Sequence, residues 1–446
     1  MSELPLVQKL QRLLRMFLLV NAIGIGVAIA IWVYGREIEA VNAVRLQLAT
    51  HLPTWLVLPL MGLLGGAIAG ALVTLFSPAA KGSGIVQVLL YERGFPIPMG
   101  WRVALVKLLA SGITIGSGIP VGPEGPSIQI GASLGKESAD ALQMEPRHRR
   151  LAVAIGSGAG LGAIFHSPLG GLAYTLEEIL KRADVRATAT AVFATFATIA
   201  WTRLLSVHGT GALFFRDLAP IVDYPSRVAE FRLADLPLLL GLGALAGLLA
   251  VPYQRLMLRL REFFALRAWP LPLRLGLVGG VIGGAWAFLP HSFDNPDVLD
   301  FDALLGLSSP LKALVVLVVQ ALGTAIAVAA EAPGGFLAPA LVVGASLATL
   351  LQQLCLLLFG YAPATLLFAG AGAFLGALTR TPLTAIFLTF ELSKSYALLL
   401  PIGFATLTAI AVADLFERET IYEVMREESE REFAATRESQ GEGEQA

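Results

Sequence analysis

Two stretches of this chain, 213 residues apart, carry the same pattern. Residues 120–135 read P-V-G-P-E-G-P-S-I-Q-I-G-A-S-L-G, and residues 333–348 read P-G-G-F-L-A-P-A-L-V-V-G-A-S-L-A. Pro120 aligns with Pro333, Gly122 with Gly335, Pro126 with Pro339 and Gly131-Ala132-Ser133-Leu134 with Gly344-Ala345-Ser346-Leu347. A second echo, at an offset of 214, pairs Gly158-Ala159…Pro168-Leu169…Glu177 with Gly372-Ala373…Pro382-Leu383…Glu391. The chain is an internal duplication, and each copy breaks an apolar segment with Gly and Pro at the same place. In a membrane protein such paired breaks point to a central binding site.

The membrane premise follows from composition. Of 446 residues, 56% are hydrophobic and only 15% are charged, where a soluble domain carries about 25%. Apolar runs at 16–34, 55–77, 235–251, 311–330 and 337–359 approach or exceed the roughly 20 residues needed to cross a bilayer. Others, at 126–134, 168–176 and 382–390, are too short. Short pieces between Gly/Pro breaks predict tilted and half-length helices whose ends lie at membrane depth, where only protein can satisfy the backbone. No alternating strand pattern interrupts the helical periodicity, so the expected fold is an all-α polytopic membrane protein with an inverted-topology internal repeat. A net charge of −1 gives no reason to expect a nucleic-acid partner. The single Cys355 excludes an intrachain disulfide.

Along the chain, residues 1–16 read as a short amphipathic helix on the cytoplasmic surface. The first repeat spans 17–208, a polar linker 209–234, and the second repeat with a final helix 235–422. Residues 423–446 read as a disordered cytoplasmic tail. Lys9, Arg12 and Arg15 before the first long apolar run place the N-terminus in the cytoplasm. The four aspartates within 291–302 lack the glycine and final glutamate of a calcium loop and read as a solvated connection.

Glu124 is the first chemical candidate. It stands in Gly122-Pro123-Glu124-Gly125-Pro126 with apolar sequence on both sides, and a carboxylate at membrane depth is expensive. The helix that starts here presents free N–H groups and a positive dipole end, which favour an anion. That anion is either the Glu124 carboxylate or a small ion in its place. The second copy has no acid, and Gly335-Phe336-Leu337-Ala338-Pro339 offers bare amides at another helix start. Two such starts converging on one point hold an anion without trapping it.

Other residues leave alternatives open. Ser83, in Gly82-Ser83-Gly84, carries a hydroxyl donor in a helix break, but Gly-Ser-Gly is ordinary loop sequence and recurs around Ser117. Glu177 and Glu178 end an apolar helix. Either they are buried, where a carboxyl can carry a proton, or they face the cytoplasm beside Lys181 and Arg182. Glu391, the repeat partner of Glu177, suits polar satisfaction in packing. Tyr422 reads first as an interfacial anchor and second as an anion donor. His166 reads as a loop or helix-start residue, not a metal ligand.

Taken together these motifs resemble the CLC family of chloride channels and proton-coupled chloride exchangers. Gly82-Ser83-Gly84-Ile85 is similar to the family's Gly-Ser-Gly-Ile-Pro segment, Gly122–Pro126 to Gly-(Lys/Arg)-Glu-Gly-Pro, and Gly335–Pro339 to Gly-x-Phe-x-Pro. The resemblance runs from about residue 17 to Tyr422. It implies that Ser83 and Tyr422 donate hydroxyls to a central chloride and that the amides of Phe336 and Leu337 complete the site. It implies further that Glu124 is the gating glutamate and Glu178 the inner proton glutamate. Ser83 is favoured over Ser117 because it lies 41 residues before Glu124, the longer interval that the family uses. Three residues depart from the pattern: Val86 replaces Pro, Pro123 replaces the basic residue, and Leu337 replaces the aromatic, with Phe336 one place earlier.

The expected function is therefore chloride/proton antiport by a homodimer in lipid, in a prokaryotic plasma membrane, with no cofactor beyond the transported chloride and no enzymatic activity. An uncoupled chloride channel on the same fold is the first alternative. An intramembrane hydrolase using Ser83 or Ser117 with His166 is the alternative from another class, and it lacks a nucleophile–base–orienter set.

Overall fold

The computed structural model describes residues 6–181, 185–206, 231–287, 304, 307 and 309–443. The linker expected at 209–234 and the aspartate-rich stretch 291–302 lie largely or wholly outside them. Among the described residues the chain is helical throughout, and seven helices are long and apolar enough to cross a membrane.

In the first half, α1 (Leu6–His51) and α2 (Thr54–Phe76) precede a short α3 (Ile85–Glu92). Next come α4 (Trp101–Gly116), α5 (Glu124–Ala141) and α6 (Pro146–Phe165). α7 (Pro168–Tyr174) continues into a wider π turn over Thr175–Leu180, and α8 (Val185–Ser206) follows. The second half holds α9 (Leu236–Arg267), α10 (Leu271–Trp286), α11 (Pro310–Ala329) and α12 (Leu337–Phe359). It ends with α13 (Leu366–Thr379), α14 (Pro382–Ser393), α15 (Leu399–Asp414) and α16 (Ile421–Gly443). The duplication read from sequence thus pairs α5 with α12, α6 with α13, and α7 with α14.

Two expectations for the chain ends change. The helix expected at 1–16 is not separate, because α1 runs unbroken from Leu6 to His51, and no Gly or Pro stands between residues 6 and 23 to end it. The segment 423–446, expected to be disordered, is helical as far as Gly443. Charge pattern alone reads this stretch as tail. Tertiary contacts hold it: Arg93 pairs with Glu430 at 3.2 Å, and the ring of Phe95 meets that of Phe433 at 5.9 Å.

The repeated glycines do repeated work. A Cβ on Gly131 would stand 2.0 Å from the Gly156 carbonyl oxygen, and one on Gly344 would stand 2.2 Å from that of Gly370. Close α5–α6 and α12–α13 packing therefore rests on the same glycine in both copies, the small-residue contact by which membrane helices bring their backbones together.

The two copies also interlock reciprocally. Glu177 accepts from the N–H groups of Leu383 and Thr384 and from the Thr384 hydroxyl, each at 2.8 Å. Its repeat mate Glu391 accepts from the N–H groups of Leu169 and Gly170, each at 3.0 Å, and from the Ser167 hydroxyl. Each carboxylate caps the start of the other copy's short helix, where backbone donors have no partner within the helix. Residues that trade places in this way are related by a local two-fold axis, which is the inverted repeat seen in atoms.

Candidate functional site

The axis passes through the two duplicated breaks. Gly122 and Gly335 are repeat mates and form a single antiparallel bridge, each N–H donating to the other's carbonyl at 2.7 Å. Just beyond them α5 starts at Glu124 and α12 at Leu337, the next pair of mates. The Glu124 carboxylate lies between the two starts. Its Oε1 accepts from the Leu337 N–H at 2.7 Å, and the amides of Ala338 and of Glu124 itself also act on it. Glu124 is fully buried, and Oε2 has no protein partner. A Cβ on Gly335 would meet Oε1 at 2.1 Å, so the cradle exists only because that position has no side chain.

A third break completes the cluster. Ser83 lies in the loop before α3, and its carbonyl oxygen would be 2.6 Å from a Cβ on Gly125. Gly84, at φ +90°, sits in the left-handed region that glycine adopts without strain, so α3 starts abruptly beside Ser83. Two further links fix this loop against the second copy. The Gly82 N–H donates to the Glu331 carbonyl at 3.0 Å, and the Gly334 N–H donates to the Gly82 carbonyl at 3.2 Å. Behind it the buried Lys107 donates to the carbonyls of Ala80 at 3.1 Å and Gly82 at 2.5 Å. The Ser83 hydroxyl oxygen accepts from the Ile85 N–H at 3.3 Å, which leaves its proton available to another acceptor. A cavity of about 630 Å³ reaches Ser83 and Phe336 and extends past Arg102 and Arg261 to Met425 and Phe433.

Tyr422, at the start of α16, closes the cluster. Its ring stacks on Phe336 with centroids 4.8 Å apart and planes at 27°. The side chain is buried, and the hydroxyl has no protein partner. Its electrostatic neighbours include Tyr174, Glu124 and Glu178. An interfacial anchor would keep its hydroxyl in water; this one points into the protein.

Glu178 sits on the π turn after α7, 4% exposed, with Oε1 unpartnered. Lys181, Glu423, Arg426 and Glu177 are its charged neighbours. Of the adjacent acids, Glu177 turns outward to cap α14 and Glu178 turns into the protein. Sequence reasoning missed Tyr174. It is 1% exposed, its hydroxyl has no protein partner, and it stands four residues before Glu178. That spacing was the available signal, since residues four apart share a helix face.

The hydrolase alternative finds no geometry. Ser117 donates its hydroxyl to the Thr114 carbonyl at 2.9 Å. His166 ends α6 in a left-handed conformation, as Arg380 ends α13. Among the described residues no cluster of His, Cys, Asp and Glu could hold a metal ion.

Comparison with known proteins shows the family. A family model described as voltage gated chloride channel matches residues 65–414. The H(+)/Cl(-) exchange transporter ClcA of Salmonella paratyphi A is 31% identical over 411 residues, covering 88% of this chain and 82% of that protein. ClcA of Salmonella newport is 30% identical over 425 residues, covering 91% of this chain and 85% of that one. Among solved structures, a slow cyanobacterial Cl-/H+ antiporter superposes with a TM-score of 0.82 at 28% identity, over 93% of this chain and 98% of its own. A CLC-type fluoride/proton antiporter shares the fold, with a TM-score of 0.70 at 18% identity, over 92% of this chain and 97% of its own. The duplicated helix starts, the acid held between them and the match over most of the chain place this protein in the voltage-gated chloride channel (CLC) family.

Proposed function

We propose that this protein is a chloride/proton antiporter. The observation that carries the reading is the position of the Glu124 carboxylate. It is an anion held by amides at the meeting point of two helix starts, and a chloride held by the same donors would compete with it. Protonation removes the charge that the amides bind. The neutral side chain then leaves, and the ion takes its place. Chloride binds to the hydroxyls of Ser83 and Tyr422 and the amides of Phe336 and Leu337, and it reaches them through the cavity beside Ser83.

Proton transfer needs a second acid on the other side of the site, and Glu178 fills that role. It is buried, unpartnered at Oε1 and ringed by charged residues at the base of α16. This favours exchange over an uncoupled channel, which needs no inner acid. Chloride and proton then compete for one carboxylate's place, and each changes the other's affinity by the same factor.

The reading extends to a homodimer in a prokaryotic plasma membrane with both termini in the cytoplasm, supported by the family resemblance and the bacterial relatives. No resident cofactor enters it. Reconstitution in liposomes with both ions recorded at once tests it. A chloride gradient should drive protons uphill, and chloride movement with no uphill proton movement would make the protein a channel.

A further inference from the structure

Tyr174 is a buried polar side chain that the mechanism above does not use, and it is an electrostatic neighbour of both Glu178 and Glu124. Tyr174 ends the α-helical part of α7, and the π turn that follows carries Glu178. The four-residue spacing puts both on one face of the helix. Glu178 and Glu124 are the two acids that act on Tyr174, and Tyr422 is a further electrostatic neighbour. The phenol is at most 1% exposed, and its hydroxyl has no hydrogen-bond partner in the protein.

A buried hydroxyl without a partner is costly, and native proteins satisfy such groups with protein, water or ion. A phenylalanine would fill the same apolar space at no polar cost. Four of the buried atoms without a protein partner belong to groups that are electrostatic neighbours of one another. Glu178 Oε1, Tyr174 Oη, Tyr422 Oη and Glu124 Oε2 are all buried and all lack a protein partner, and the electrostatic neighbours of the two tyrosines link all four groups. Neighbouring buried groups of this kind are what ordered water needs as hydrogen-bonding partners. A phenol can accept one proton and donate another in the same step.

Building on the antiport reading, we propose that Tyr174 is a proton-relay residue, its hydroxyl holding the water that connects Glu178 to Glu124. The transfer balances without a change in Tyr174. A proton leaves Glu178 for a water, the water passes one to the phenol oxygen, and the phenol proton moves on to the next water and then to Glu124. Glu178 ends as a carboxylate, Glu124 as a neutral acid, and the tyrosine as it began.

The test is Tyr174→Phe in liposomes, with proton and chloride fluxes recorded together and chloride binding measured by calorimetry. The ratio of proton to chloride flux should fall on the order of tenfold, less than the ~100-fold that removing a positioned acid or base costs, because water can partly replace the hydroxyl. Chloride binding and chloride flux should stay near wild type, and they also report that the variant is folded. An unchanged flux ratio would overturn the assignment. So would weakened chloride binding at an unchanged ratio, which would make the hydroxyl a ligand of the anion. Both results presuppose uphill proton movement by the wild type. Its absence would instead defeat the antiport reading.

Discussion

Glu124 and Leu337 are repeat mates, 213 residues apart, and they are hydrogen-bonded to each other: the Leu337 N–H donates to Glu124 Oε1 at 2.7 Å. A local two-fold axis therefore runs through the site, but the chemistry on its two sides differs. One copy supplies a carboxylate and the other a bare amide. Two carboxylates this close would repel, and two bare amides would carry no group that a proton could neutralise. In the proposed mechanism this asymmetry within the symmetric frame is what lets a proton act as the switch.

Replacing that acid separates the two ions. Glu124→Gln keeps the size of the side chain and removes its charge and its protonation. Chloride flux should persist in liposomes, and proton flux should fall to background. A Gln variant that still pumps protons against their gradient would remove Glu124 from the coupling.

In the proposed mechanism the hydroxyl donors Ser83 and Tyr422 set chloride affinity. Ser83→Ala removes a hydrogen bond to a charged partner, a loss of about 1.5–3 kcal/mol and so about tenfold or more in Kd. Tyr422→Phe should weaken binding by a similar factor while its ring keeps its stack on Phe336. Titration calorimetry with chloride measures both. Affinity unchanged in the two variants would mean that the amides alone bind the ion.

Glu391 is assigned to structure. Glu391→Ala strips the Leu169 N–H of its acceptor and leaves the Gly170 N–H only the Ser167 hydroxyl oxygen at 3.2 Å, at a cost of about 1–3 kcal/mol. The apparent Tm in detergent should drop, and the ratio of proton to chloride flux should not change. Glu391→Gln keeps an acceptor and should lie between the two. A changed flux ratio at unchanged stability would move this residue into the transport machinery.

Stability at the base of α16 depends on pH. Burial pushes the Glu423 carboxyl up, but the Thr420 amide, the Lys181 ammonium at 3.1 Å and Arg426 outweigh it, so the carboxyl sits below its ordinary value of 4.5. A depressed folded pKa contributes stability above the unfolded value and loses it as the pH falls through the folded one. Glu423 is partly exposed, so the contribution is about 1 kcal/mol or less. Glu423→Gln should unfold at a lower temperature than wild type at pH 7, and the gap should close as the pH falls from 4.5 through the depressed folded value. A gap that persists in acid would trace the effect to packing.

The helical class, the duplication and the three helix breaks were legible because they depend on local rules. Apolar runs, Gly and Pro leave marks in the order of residues wherever the chain goes. Glu124 could be picked out for the same reason, as a charge with no polar company in sequence. The π turn after Tyr174 left no mark, and the helical course of α16 beyond Tyr422 depends on partners in α3 and the following loop that are distant in sequence.

The sequence by itself determined that two copies of one broken-helix unit share a membrane, and that one copy carries an acid where the other carries none. Only the tertiary structure decided which way the side chains of neighbouring residues point. Glu177 goes to the opposite copy's helix start and Glu178 into the interior. Tyr422 stacks inward on Phe336, and Tyr174 is buried with both acids as electrostatic neighbours. The partners that make these choices are distant in sequence, Thr384 207 residues from Glu177 and Phe336 86 residues from Tyr422, and nothing in local periodicity encodes them.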